Sequence, residues 1–150
     1  MKFSRNNTYY ITPLNKKIDY LKWVSYINNH SSDFIWKENT ENGIRILNNI
    51  DKFPVDFRER VLNSLNKKVC FKEYDKKKGY YNIHFSFNND GRISVGFERT
   101  QTYKDLQFLL EMAKYLDAVL LLNDSKKIID EQVIAELEIQ HNNRTKKHKP

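Results

Sequence analysis

Residues 80–98, YYNIHFSFNNDGRISVGFE, decide the fold. Tyr81, Ile83, Phe85 and Phe87 alternate with Asn82, His84, Ser86 and Asn88. Ile93, Val95 and Phe97 alternate with Arg92, Ser94 and Gly96. A period of two marks a pair of half-buried strands. The join fixes their register. A two-residue Asp90-Gly91 turn would set Phe87 opposite Ser94 and mix the faces. A three-residue loop, Asn89-Asp90-Gly91, sets Phe87 against Ile93, Phe85 against Val95 and Ile83 against Phe97, so every apolar residue stays on one face. That loop class needs a left-handed residue at its end, and Gly91 stands there. The same logic, carried upstream, pairs Val69 with Phe85 and Phe71 with Ile83, with Lys76, Lys77 and Lys78 at the loop tip. The expected product is a three-stranded meander over 69–74, 80–88 and 92–98.

Outward from the meander, Thr8–Thr12 reads as a strand ended by Pro13. Asn15 is placed to cap a helix running to Asn29, with Ile18, Leu21, Val24 and Ile27 as its stripe, widened by Tyr20, Trp23 and Tyr26. Residues 34–37 and 44–48 read as short strands around the polar turn 39–43. Pro54 suits the first turn of a helix reaching Lys67, with Phe57, Val61, Leu62 and Leu65 on one face. Thr102 and Asp105 have capping-box spacing before a helix whose stripe is Leu106, Leu109, Leu110, Ala113 and Leu116. A strand at 118–122 follows, then a turn at 123–125. A last helix over 131–139 is capped by Asp130, with Glu131 favourable at its N-terminus. The expected fold class is α+β: a mainly antiparallel sheet built on the 69–98 meander, with three to four helices packed on one face.

Composition sets the class of protein. The 150 residues are 39% hydrophobic and 30% charged, which suits one globular domain rather than a disordered chain. The single Cys70 excludes an intrachain disulfide and any cysteine-pair metal site. The N-terminus, MKFSRNNTYY, lacks an apolar signal core, and the apolar run 118–122 is too short to span a bilayer. A cytoplasmic protein without a membrane segment is expected. The formal charge is +7, but residues 141–150, HNNRTKKHKP, hold four of the bases and no acid. The expected organisation is a domain over 1–140 and a basic, disordered tail over 141–150.

Catalytic and cofactor chemistry finds little support. His84 falls on the polar face of the meander with Ser86 and Ser94, but no acid is fixed beside it by pattern and no nucleophile elbow is present. A solvent-facing strand histidine is the plainer reading. Cys70 reads as a small strand residue. Gly79, Gly91 and Gly96 belong to hairpins, not to a phosphate loop. The acids Asp117, Asp124, Asp130 and Glu131 match no Ca²⁺ loop. No catalytic residue, metal or cofactor is assigned. Binding residues are easier to name. Trp36, Tyr74 and Tyr80, with Tyr9 or Tyr10, are aromatic residues outside the apolar stripes, and Lys76, Lys77 and Lys78 crowd the first hairpin. Such a set suits contact with a protein partner or, as the second reading, phosphate and base contact with nucleic acid.

The stretch 105–131, DLQFLLEMAKYLDAVLLLNDSKKIIDE, resembles the C-terminal layout of immunity-type proteins from bacterial contact-dependent and secreted toxin systems. There a leucine-rich helix ends in Leu-Asp/Gly-Ala, a short strand follows, then an acidic turn and a terminal element. Leu116-Asp117-Ala118 and Asn123-Asp124 stand in those places. The resemblance implies a small cytoplasmic binding protein that inhibits a toxin by occluding it. It carries over no catalytic residue.

Overall fold

A computed structural model describes residues 1–147. Six strands, β1 (Thr8–Pro13), β2 (Phe34–Trp36), β3 (Val69–Asp75), β4 (Tyr80–Phe87), β5 (Ile93–Phe97) and β6 (Ala118–Leu122), form one antiparallel sheet in the order β2-β3-β4-β5-β1-β6. Five α-helices accompany it among the described residues: α1 (Tyr20–Asn29), α2 (Glu41–Asn48), α3 (Val55–Ser64), α4 (Tyr103–Tyr115) and α5 (Glu131–Lys147). The fold is α+β, as the alternation and stripes require.

The β4–β5 hairpin has the expected register. Phe87 pairs with Ile93, Phe85 with Val95 and Ile83 with Phe97. Gly91 adopts φ 84°, its N–H donates to Asn88 O at 3.0 Å, and Asp90 Oδ1 accepts from the Arg92 N–H at 3.0 Å. The inward residues of β1, β4, β5 and β6, namely Tyr9, Ile11, Phe85, Ile93, Val95 and Leu120, are fully buried. They meet Trp23 and Ile27 of α1 and Leu106, Leu109 and Met112 of α4. Ile134 and Leu137 extend the same core from α5. Removing that much apolar surface from water is the main stabilising term.

Several local expectations are corrected. Residues 44–48 are helical. Thr40 Oγ1 accepts from the Gly43 N–H at 3.0 Å, and Glu41 occupies the first turn, so Thr40 starts α2 where a strand was expected. The cap of α1 is Asp19, accepting from Lys22 N at 3.2 Å, not Asn15. Leu21 is exposed on α1, and the inward side is Trp23 and Ile27. In α3, Phe57 and Leu62 are exposed and none of its residues is buried. The capping-box arm from Thr102 N to Asp105 Oδ2 (2.7 Å) and the Asp130 cap on Val133 N (3.0 Å) form as expected. The last helix continues to Lys147, so residues 141–147, expected as disordered tail, are helical; residues 148–150 lie outside those described.

The β3 register departs by one residue. Cys70 pairs with Phe85, Phe71 with His84 and Lys72 with Ile83. A one-residue slip exchanges the faces of a strand. Cys70 therefore points into the core, and Phe71 lies on the opposite, open face with His84. The hairpin is closed by the four residues 76–79, because Asp75 pairs with Tyr80 and Asp75 O accepts from the Gly79 N–H at 2.8 Å.

Candidate binding cleft on the open sheet face

The site grows from one unusual backbone position. Glu73 adopts φ 64° and drops out of the β3–β4 ladder, which resumes at Tyr74↔Tyr81. A left-handed residue inside a strand reverses its alternation locally and stores strain that other bonds must hold. Arg99 holds it here. Its Nε and Nη2 donate to Glu73 Oε2 and Oε1 at 2.6 and 2.9 Å, and its Nη1 and Nη2 donate to Asp105 Oδ2 and Oδ1 at 2.8 and 2.9 Å. Asn82 Nδ2 adds a 2.8 Å bond to Glu73 Oε2. Hydrogen bonds from Arg99, only partly countered by burial, and the bond from Asn82 hold the Glu73 carboxyl below its usual range. Burial pushes Asp105 up, but its bonds from Arg99 and Thr102 outweigh that and hold it down.

With Glu73 turned toward Arg99, Tyr74 joins Tyr81 (ring centroids 5.0 Å) and Tyr81 stacks on Phe71 (5.4 Å, 15°). His84 meets Phe71 edge-on at 5.8 Å. These rings floor a cleft of about 680 Å³ whose other wall is α2 and the turn before it. Lys37, Glu41, Asn42 and Arg45 line that wall, and Gly79, Tyr80 and Glu98 complete the rim. Gly43 lets α2 fold back closely on the turn that precedes it: a Cβ there would lie 1.8 Å from Lys37 O.

The cleft contains the one acid the sequence left unassigned beside His84. Glu98 Oε1 stands 3.2 Å from His84 Nε2. Gly96 lies opposite His84 in β5, near Nδ1. Among the described residues, the polar side-chain contact of His84 is this one with Glu98, and no hydroxyl or thiol is bonded to it. A histidine–carboxylate pair without a bonded nucleophile can bind and orient a polar group. Cys70 lies on the other face, fully buried, and burial pushes its thiol far up, which suppresses the thiolate.

Of the residues named from sequence, Tyr74 and Tyr80 line the cleft, and exposed Lys76, Lys77 and Lys78 form the adjacent hairpin tip. The Asp75 carboxylate shapes that tip by accepting from Lys77 N and Lys78 N at 3.0 and 3.1 Å. Trp36 is corrected. It is 7% exposed, packs edge-on against Trp23 at 5.4 Å and donates through Nε1 to Asn28 Oδ1 at 2.9 Å, so it is a core residue. Tyr9 is likewise core. It donates to Gln101 Oε1 at 2.8 Å, and burial pushes its phenol up to about 12. Tyr10 is half-buried under the Arg92 guanidinium. Phe71, Lys37, Arg45 and Glu98 are cleft residues that sequence reasoning missed. Phe71 was lost through the register slip; the others come from distant segments with no local pattern to mark them.

No helix of the described chain is long and apolar enough to cross a membrane, and the described residues contain no cluster of His, Cys, Asp or Glu able to hold a metal ion. Comparison with protein-family models, curated proteins and solved structures finds no match to this chain.

Proposed function

We propose that the protein is a non-catalytic binding protein of the immunity type, which inhibits a toxin domain by covering it with the open face of β3 and β4. The observation that carries this reading is the gathering of Phe71, Tyr74, Tyr80 and Tyr81 at one cleft beside the exposed lysines of the hairpin tip. Large rigid aromatic rings that keep a polar tip bury much area at low entropic cost, and they are the residues that dominate protein interfaces. The sheet positions them on a rigid element, and Arg99 locks the strained turn that presents them. Such a site needs no reactive group.

Co-expression with the C-terminal domain of a toxin-like open reading frame found immediately upstream of this gene, the toxin candidate, tests the reading. Growth rescue by the wild type, and loss of rescue in Tyr74→Ala/Tyr80→Ala with an unchanged melting curve, is the expected result. No complex with that toxin on size exclusion would end the proposal. Nucleic acid is the second reading, favoured by Lys76, Lys77 and Lys78 standing next to Tyr80, with Lys78 Nζ 5.8 Å from the ring centre. It requires affinity that falls steeply with salt and falls alike for all sequences when the three lysines become Glu.

A further inference from the structure

We infer that the cleft between α2 and the sheet receives an acidic, ring-bearing segment of the partner: carboxylates flanking an aromatic side chain. The inference rests on the protein-binding reading and names the chemistry of what is bound.

The charge layout points this way. Lys37 and Arg45 on the α2 wall, and Lys76, Lys77 and Lys78 at the mouth, form no ion pair among the described residues. Two acids line the same cleft, Glu41 and Glu98, and Glu98 is already engaged by His84 at 3.2 Å. Cations without partners around a concave surface raise the local potential and favour carboxylates over a neutral or basic segment. Cations that do have carboxylate partners lie away from it: Arg92 with Asp90, Arg99 with Glu73 and Asp105, Lys22 with Asp117, and Lys114 with Glu131. Lys37 and Arg45 in the cleft and the three lysines at its mouth thus put five cations without ion pairs beside the rings.

The floor supplies the second half of the specificity. Tyr74, Tyr81 and Phe71 present a continuous aromatic surface, and Tyr80 closes the mouth. A ring inserted between α2 and this floor would stack or meet it edge-on, and its flanking carboxylates would reach Arg45 and Lys37 on one side and the lysine tip on the other. The cleft volume of about 680 Å³ suits a few side chains rather than a whole helix.

The test is an amide NMR titration of the ¹⁵N-labelled full chain at low salt. The probes are a synthetic octapeptide of Asp and Glu around one Tyr, the same peptide with Asn and Gln for the acids, and a single-stranded oligo-dT. Shifts at Gly43, Phe71, Gly79, Tyr81 and His84 with the acidic peptide are expected. The neutral peptide, and the variant Lys37→Glu/Arg45→Glu, should each bind at least about tenfold more weakly. A variant spectrum that keeps its dispersion shows that folding survives; if it does not, Arg45→Gln alone provides the same comparison. Equal affinity for the two peptides, shifts away from the cleft, or no binding by low-millimolar acidic peptide overturns the inference. Tighter binding of oligo-dT than of the acidic peptide also overturns it, in favour of nucleic acid. None of these outcomes affects complex formation with the toxin candidate on size exclusion, which decides the broader reading separately.

Discussion

Replacing Arg99 by Leu removes the clamp that holds the turn at Glu73. The side chain makes two bidentate pairs, with Glu73 and with Asp105. The Asp105 half is the stronger, because its side chain is 12% exposed, whereas that of Glu73 is 42% exposed and largely screened. Leaving Asp105 without its cation should cost ~2–3 kcal/mol, and the screened half adds under ~1 kcal/mol. A total of about 3 kcal/mol corresponds to a melting temperature lower by roughly 6–12 °C for a chain of this size. The pH dependence has a definite sign. Both carboxyls are held below their usual range in the folded state. The stability they supply is therefore present above the ordinary carboxylate range and is lost as pH falls through the depressed values. Urea denaturation followed by fluorescence of the buried Trp23 and Trp36 should show the full gap between wild type and Arg99→Leu at pH 7. The gap should narrow steadily below about pH 4. A gap that stays constant from pH 7 to pH 2, or one under ~1 kcal/mol at pH 7, would refute the clamp.

Three further outcomes are expected. Gly91→Val should destabilise by ~1–3 kcal/mol, because φ 84° is strained for a branched residue and its Cβ would meet Lys17 Cγ at 2.7 Å; a chemical-denaturation midpoint equal to wild type would contradict the hairpin geometry. Gly43→Ala must push α2 off Lys37 O, with a cost of ~1–3 kcal/mol and displaced amide shifts over residues 37–45; an unchanged melt with unchanged shifts there would show that α2 does not pack on that turn. Trp36→Ala should cost ~3–5 kcal/mol through a core cavity, so any loss of partner binding in that variant should track loss of fold by circular dichroism, and loss in a fully folded variant would make Trp36 a contact residue after all.

The β4–β5 hairpin was legible because two independent constraints agreed: the apolar alternation and a glycine where φ must be positive. The β3 register was not. The alternation rule assumes that lysines face water, yet Lys72 stands on the inner face with its Nζ 3.4 Å from the centre of the Phe108 ring. Burial lowers its pKa, and the aromatic contact and long stem let it stay there. Nor does any propensity announce that Glu73 takes a left-handed conformation, since the bonds to its side chain come from Arg99, 26 residues away. Residues 44–48 misled through their isoleucines, which favour strands; the cap at Thr40 overrode that preference. Tyr74, Tyr80 and the lysine tip were legible as candidates because they fell outside every apolar stripe. Trp36 met the same criterion and failed it in space, because the short β2 turns it toward Trp23.

Hydrogen-exchange mass spectrometry of the complex with the toxin candidate tests most directly whether the open face of β3 and β4 is the contact surface. Slowed exchange confined to residues 37–45 and 71–84, relative to the free protein, is the expected result. Protection that instead falls on α4 and α5, with 71–84 exchanging as in the free protein, would contradict it.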